Sequence, residues 1–82
     1  MRVKIFVLLK NGVLDPQGNA IERSLHSLGY KEVHDVRAGK YLELEVDEPS
    51  RAATELRVRE MCDRLLANTV IEDYRFEISS ES

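Results

Sequence analysis

The sequence lacks an excess of positive charge and any long run of apolar residues. Its 12 lysines and arginines stand against 15 acidic residues, for a formal net charge of −3, whereas proteins that bind the nucleic-acid backbone concentrate cations. No apolar run reaches the roughly 18 residues that a transmembrane helix requires. The first ten residues are too short and too regularly alternating for a signal peptide. These absences argue against nucleic acid and membrane as partners and predict a cytoplasmic protein.

Cysteine and histidine are also scarce. The single cysteine, Cys62, cannot form a disulfide within the chain and supplies too few ligands for a metal site. It falls in the apolar stripe of a predicted helix, where cysteine is typically a small buried hydrophobe. His26 and His34 lack the spacing of a metal pair, and His26 is expected on the solvent side of its helix. We therefore predict no catalytic or metal-binding residue on this chain, and a reducing compartment.

The length and composition are typical of one small globular domain. We predict a single domain over residues 1–82, with a polar tail at 79–82, because 43% of the residues are hydrophobic and 33% are charged. A domain of this size buries only about 60% of the surface that its unfolded chain exposes. Self-association would stabilise such a small core.

Apolar periodicity predicts four strands and two helices. The first helix has Asp15 as N-cap and Pro16 at its first position, and it ends at Gly29. The second begins near Ser50, ends near Asn68, and carries its apolar stripe at Val58, Met61, Cys62, Leu65 and Leu66. The predicted strands cover residues 2–10, 32–38, 41–47 and 70–78, with a tight turn at Gly39 and Lys40.

The order βαββαβ predicts an α+β, ferredoxin-like fold. Its four-stranded, mostly antiparallel sheet would carry both helices on one face. In the third strand Leu42, Leu44 and Val46 would point inward, and in the last strand Val70, Tyr74, Phe76 and Ile78 would share a face. The other sheet face would be uncovered, with Phe6, Leu8 and either Val36 or Ala38 on it. We expect oligomerisation through this sheet face or an edge strand.

The loop between the first strand and the first helix holds more chemistry than a connection requires. Its glycines, its Asp-Pro helix start and two apolar residues favour recognition of another protein, since loops on a rigid scaffold often have that role. Leu14 is equally well explained as a hydrophobic staple for the helix. The candidate partner-binding residues are Lys10, Asn11, Gly12, Val13, Leu14 and Asp15.

A second candidate segment contains Arg37, Gly39 and Lys40. A glycine beside two cations could hold a phosphate or a carboxylate, and a plain hairpin turn explains the glycine as well. We include these three residues in the predicted partner-binding surface.

Three separated motifs resemble the PurS family of small subunits of phosphoribosylformylglycinamidine synthase. They are Leu-Lys-x-Gly-Val-Leu-Asp-Pro-x-Gly at residues 9–18, Val-Arg-x-Gly-Lys at 36–40, and Met-Cys-x-x-Leu-Leu-Ala-Asn at 61–68 leading to Val-Ile-Glu at 70–72. Three motifs in the right order are more specific than any one of them. Thr69 departs from the family pattern, which usually has proline there.

The resemblance implies a non-catalytic subunit of an enzyme in purine biosynthesis that uses ATP, magnesium and glutamine. It implies no cofactor on this chain. The implied partners are a second copy, as a homodimer or a dimer of dimers, together with the synthetase subunit PurL and the glutaminase subunit PurQ. The role implied is to bring those two together and to assist ammonia transfer between them.

Other readings of the same topology stay open from the residues alone. A regulatory module of the ACT type shares the βαββαβ order and binds small molecules at dimer interfaces. An acylphosphatase-like enzyme would need an arginine in the loop at 10–18, which has none. An RNA-binding sheet would need adjacent exposed aromatic residues and basic charge, which the strands and the composition lack.

Overall fold

The first strand is the centre of the sheet. In the computed structural model, which describes residues 1–79, β1 (Arg2–Leu9) lies between β2 (Gly39–Glu45) and β3 (Glu72–Ser79), and both pairings are antiparallel. Val3, Ile5 and Val7 are at most 1% exposed because their alternation places all three on one face. The same face receives Leu42 and Leu44 from β2 and Tyr74, Phe76 and Ile78 from β3, as the sequence predicts.

The second helix covers this face. Ser50 begins α2 (Arg51–Met61) by accepting a hydrogen bond from the Ala53 N–H at 3.1 Å, which confirms the predicted cap. Val58 and Cys62 are fully buried against the sheet. None of the helices formed within residues 1–79 has the length and apolar character needed to cross a membrane.

The predicted apolar stripe of this helix is wrong at Leu65, which is 82% exposed. The last turn, Cys62–Leu66, widens into a π-helical turn in which the Ala67 N–H donates to the Cys62 carbonyl at 3.0 Å. One extra residue per turn rotates Leu65 to solvent and brings Ala67 into the core. Asn68, near which we predicted the helix to end, does not adopt a left-handed conformation; its side-chain oxygen accepts a hydrogen bond from the Val70 N–H at 3.2 Å.

The first helix lies away from the sheet, contrary to the prediction that both helices share one face. Within residues 1–79, α1 (Pro16–Ser27) makes no extensive contact with any strand or with α2. The chain measures 50 × 28 × 14 Å, and its radius of gyration of 16.1 Å exceeds the about 12 Å of a compact chain this long. Leu28, on the apolar side of the helix, is therefore 73% exposed. Gly29 ends the helix with φ +104°, as predicted.

Residues 32–38 do not form the predicted strand, so the sheet described has three strands rather than four. Asp35 turns the chain with φ +53°, and the Ala38 N–H donates to a side chain instead of a neighbouring strand. Gly39 and Lys40, predicted as a turn, are instead the first residues of β2.

Two smaller expectations at the chain's end and on the sheet are also wrong. Val70 lies before β3 in a turn and is 81% exposed. Ser79, placed in the predicted polar tail, is the last residue of β3, and residues 80–82 of that tail lie outside the described part of the chain. Neither changes the core.

The outer face of the sheet is open, as predicted for Phe6 and Leu8. The centroids of the Phe6 and Tyr41 rings lie 5.1 Å apart, and the Arg75 guanidinium carbon lies 4.0 Å from the centroid of the Phe6 ring. Leu8 is 40% exposed. Val36 and Ala38 are absent from this face because their segment is not a strand. The result is a small apolar and aromatic surface bordered by charge.

Candidate functional site

The candidate loop is anchored where it leaves the sheet. The Lys10 N–H donates to the Ile71 carbonyl at 2.8 Å, and the Val13 N–H closes a turn onto the Lys10 carbonyl at 3.1 Å. Gly12 adopts φ +87°, a conformation that glycine accepts at little cost. The tight turn projects the next residues outward, so Leu14 is 72% exposed. It is therefore not a buried staple of the first helix.

Asp15 joins the loop to the second candidate segment. One carboxylate oxygen accepts from the Gly18 N–H at 2.9 Å and caps α1, and the other accepts from the Ala38 N–H at 3.0 Å. These two hydrogen bonds lower the pKa of the Asp15 carboxyl and outweigh partial desolvation, which raises it; the nearby positive charge of Arg37 adds a smaller lowering effect. The charged carboxylate therefore holds together two segments that are far apart in sequence.

Close packing reinforces this connection. Gly18 is buried at the start of α1, directly against the backbone of the second segment. A Cβ atom at this position would collide with the Val36 carbonyl oxygen and would lie 2.7 Å from an Asp15 carboxylate oxygen. Only glycine at position 18 lets the start of α1 lie this close to the Val36 carbonyl. We call the Asp15 hydrogen bonds and the Gly18 contact the latch.

The latch brings seven of the nine predicted residues to one cavity. Lys10 to Asp15 and Arg37 line a depression of about 370 Å³ between the loop and the second segment. Gly39 and Lys40 lie on the other side of Asp15, where they line a neighbouring depression of about 480 Å³ with Pro16 and Glu72. The predicted surface is thus continuous around Asp15 but has two parts.

Lys40 makes bonds within the chain. Its ammonium donates to the Leu66 carbonyl at 3.1 Å and lies 3.8 Å from a Glu72 carboxylate oxygen. The same Glu72 oxygen accepts from the Asn68 N–H at 2.7 Å. Lys40 therefore ties the start of β2 to the end of the π-helical turn, and the carbonyl it binds is one that the helix end leaves without a backbone donor.

Three lining residues escaped the sequence reasoning. Asn19, Asp35 and Val36 also line the 370 Å³ cavity. Asp35 carried a usable signal, because aspartate is one of the few residues that favour positive φ and it interrupts the predicted strand. Val36 begins the motif at residues 36–40 but was not singled out, and nothing in the sequence marked Asn19 as part of the site.

The residues with catalytic potential have structural roles. Cys62 is fully buried, and burial, ahead of the neighbouring Asp63 charge, raises the pKa of its thiol. His26 is half-buried rather than on the solvent side, and its Nε2 lies 2.7 Å from the Val33 carbonyl. No group of three or more potential metal-ligating side chains occurs within residues 1–79.

Comparison with known proteins agrees with the motifs. The family described as PurS: Phosphoribosylformylglycinamidine (FGAM) synthase matches residues 2–80. The Bacillus subtilis phosphoribosylformylglycinamidine synthase subunit PurS is 57% identical over 77 residues, which cover 94% of this chain and 90% of that protein.

Solved structures give the same result. A crystal form of Bacillus subtilis PurS has 56% identity and a TM-score of 0.86, covering 96% of this chain and 98% of that one. A chain in the structure of PurLQS from Thermotoga maritima has 33% identity and a TM-score of 0.86, covering 93% of each chain. The chain therefore belongs to the PurS family, the small non-catalytic subunit of phosphoribosylformylglycinamidine synthase in purine biosynthesis.

Proposed function

We propose that this chain is a docking subunit that holds the synthetase subunit PurL and the glutaminase subunit PurQ in one complex. Ammonia released from glutamine would then reach the synthetase before it escapes to water. The similarity to a chain in the structure of PurLQS from Thermotoga maritima supports this proposal.

The latch is the observation that carries the proposal. Asp15, at the end of the loop, accepts from Gly18 at the start of α1 and from Ala38 in the second segment, at 2.9 and 3.0 Å, so the relative position of the loop and this segment is fixed before any partner binds. Leu14 and Val13 remain exposed beside it, at 72% and 36%. A preorganised polar cradle with exposed apolar side chains is a suitable protein-binding surface, because less conformational entropy is lost on docking.

We further propose that a second copy of the chain covers its open apolar surfaces. The extended first helix leaves Ile21 and Leu28 exposed by 39% and 73%, and the outer sheet face leaves Leu8 exposed by 40%. A homodimer, or a dimer of such dimers, would bury these side chains and would present the docking surface at least twice.

In this proposal the chain contributes no cofactor. The assembled enzyme would use ATP and magnesium on the synthetase subunit, in the cytoplasm, while this chain supplies position. By holding the two subunits together, this chain would raise the effective concentration of the glutaminase near the synthetase active site.

The test is to mix purified subunits, separate them by size-exclusion chromatography, and measure the mass of each eluted species by light scattering. We expect the chain alone to elute with at least twice the monomer mass, and a mixture of the three subunits to form a complex that is lost when the chain is left out. A complex of PurL and PurQ that forms equally well without the chain would contradict the docking role. If the isolated chain is a monomer, the proposed self-association is contradicted, but the docking role is not.

A further inference from the structure

Two cations differ from the other lysines and arginines within residues 1–79. Lys10 and Arg37 are half-buried, yet neither the Lys10 ammonium nor the Arg37 guanidinium has a hydrogen bond or ion pair with any residue described. The remaining cations either have a carboxylate partner or are exposed to water. Paired ones are Arg2, Lys40, Arg57, Arg59 and Arg75, and exposed ones are Lys4, Arg23, Lys31, Arg51 and Arg64.

No carboxylate within residues 1–79 forms an ion pair with either of these two cations. Both line the 370 Å³ cavity beside the latch. Asp15 is close enough for the charge of Arg37 to lower its pKa, but its two oxygens accept from the Gly18 and Ala38 N–H groups and it forms no ion pair with Arg37. Asp35, which also lines the cavity, is exposed and makes no ion pair with either cation. A partly desolvated cation without an acceptor is unfavourable, and an incoming anion would relieve that cost.

Arg37 also reaches the open face of the sheet. It lines a second cavity, of about 230 Å³, together with Phe6, Leu8, Asp73 and Tyr74. A guanidinium at this boundary presents a planar fork of donors that fits a carboxylate with two parallel hydrogen bonds. Exposed apolar side chains line both cavities that Arg37 joins: Leu14 in the first and Leu8 in the second.

We infer that Lys10 and Arg37 bind a carboxylate-bearing segment of a partner subunit, in which an acidic residue is flanked by apolar ones. This inference rests on the proposed docking function and names the chemistry of the surface that is recognised. The chain itself is acidic, with a net charge of −3. A local cationic site on such a chain adds specificity, because the net negative charge of the chain does not favour binding of an acidic segment elsewhere.

The experiment measures binding of the chain to immobilised PurL and to immobilised PurQ. The variants are Lys10→Gln and Arg37→Gln, and the matched controls are Lys31→Gln and Arg51→Gln, which remove the same charge from exposed positions. With one of the two subunits, we expect the Kd of Arg37→Gln to rise about 10- to 100-fold and its salt dependence to weaken, as loss of a charge-assisted pair requires. The controls should bind as the unmodified chain does.

The outcomes separate the two proposals. If the unmodified chain binds neither subunit, the docking function fails. If it binds and the Lys10 and Arg37 variants bind as tightly as the controls, the carboxylate inference is overturned while docking stands. If Arg37→Gln leaves subunit binding unchanged but abolishes binding of inorganic phosphate to the isolated chain, the cavity takes a phosphate instead, and the inference is again overturned. Thermal unfolding should be similar in all variants, because neither side chain has a hydrogen bond or ion pair within residues 1–79, and Arg37 contributes only a minor charge effect on Asp15.

Discussion

Replacing Gly18 with alanine should destabilise the chain even though alanine favours helices. Inside a helix the exchange of glycine for alanine gains about 0.8–1.0 kcal/mol. The new Cβ would collide with the Val36 carbonyl oxygen, which is backbone and cannot rotate away. Forcing extra atoms into close packing costs about 1–3 kcal/mol. The steric effect should therefore exceed the helix gain, for a net loss of about 1 kcal/mol and a fall in Tm of about 4–8 °C.

Thermal unfolding by circular dichroism measures this change. Ser24→Ala is the matched control, because Ser24 is an exposed residue of the same helix and its replacement should add about 0.5 kcal/mol of helix propensity. All chains should be compared at one concentration, since self-association would make Tm depend on it. If Gly18→Ala raises Tm as Ser24→Ala does, the second segment moves aside freely and the latch does not hold the loop.

Three further predictions concern the latch and the core. Because the N–H groups of Gly18 and Ala38 lower the pKa of Asp15 below its ordinary 3.8, its stabilising effect is present above that pH and is lost as pH falls through the folded-state pKa. The free energy of unfolding, measured with urea at several pH values, should be larger for the unmodified chain than for Asp15→Asn, and this difference should shrink only in strong acid. A difference that is already lost near neutral pH would contradict this. Val58→Ala, which removes two fully buried methyl groups, should cost about 2 kcal/mol. Leu65 is 82% exposed, so Leu65→Ala should lower the free energy of unfolding by less than about 0.5 kcal/mol. If chemical denaturation shows the same loss of stability for Leu65→Ala as for Val58→Ala, the π-helical turn is refuted. Cys62 is fully buried with a raised thiol pKa, so an aromatic disulfide reagent should label it only after denaturant is added, and rapid labelling of the folded chain would be inconsistent with the core.

Local sequence signals predicted the parts of the fold that depend on neighbours in the chain. Alternation in β1 correctly placed Phe6 and Leu8 on the open face, opposite the buried Val3, Ile5 and Val7, and the caps Asp15 and Ser50 begin the two helices as expected. Each of these signals acts within a few residues, where side-chain period and capping chemistry decide the outcome.

The errors arose where a distant or non-standard interaction decides the backbone. The segment 32–38 reads as a strand, but the Ala38 N–H is satisfied by Asp15, 23 residues earlier in the chain. A hydrogen bond of that span leaves no trace in local periodicity. Leu65 fits an ideal helical stripe, and the wide turn at Cys62–Leu66 breaks the period just before it would be buried. The position of α1 away from the sheet likewise depends on what packs against it, which the periodicity of one chain does not encode.

The candidate site was predicted as two separate segments, and the structure supplies the relation between them. The sequence marked the loop by its glycines and the second segment by its cations. It did not show that Asp15, at the end of the loop, accepts a hydrogen bond from the second segment, or that Lys40 is bound to Leu66 and Glu72. The predicted role of these residues in partner binding stays a prediction until the subunits are tested.

In the proposed function, this chain couples glutamine hydrolysis to amide activation by holding two subunits together. The most direct measurement is the rate of formylglycinamidine ribonucleotide synthesis by purified PurL and PurQ, with and without the chain, supplied with either glutamine or a high concentration of ammonium. We predict that the chain is required when glutamine is the nitrogen donor and dispensable when ammonium is. Equal rates with and without the chain on glutamine would contradict the account.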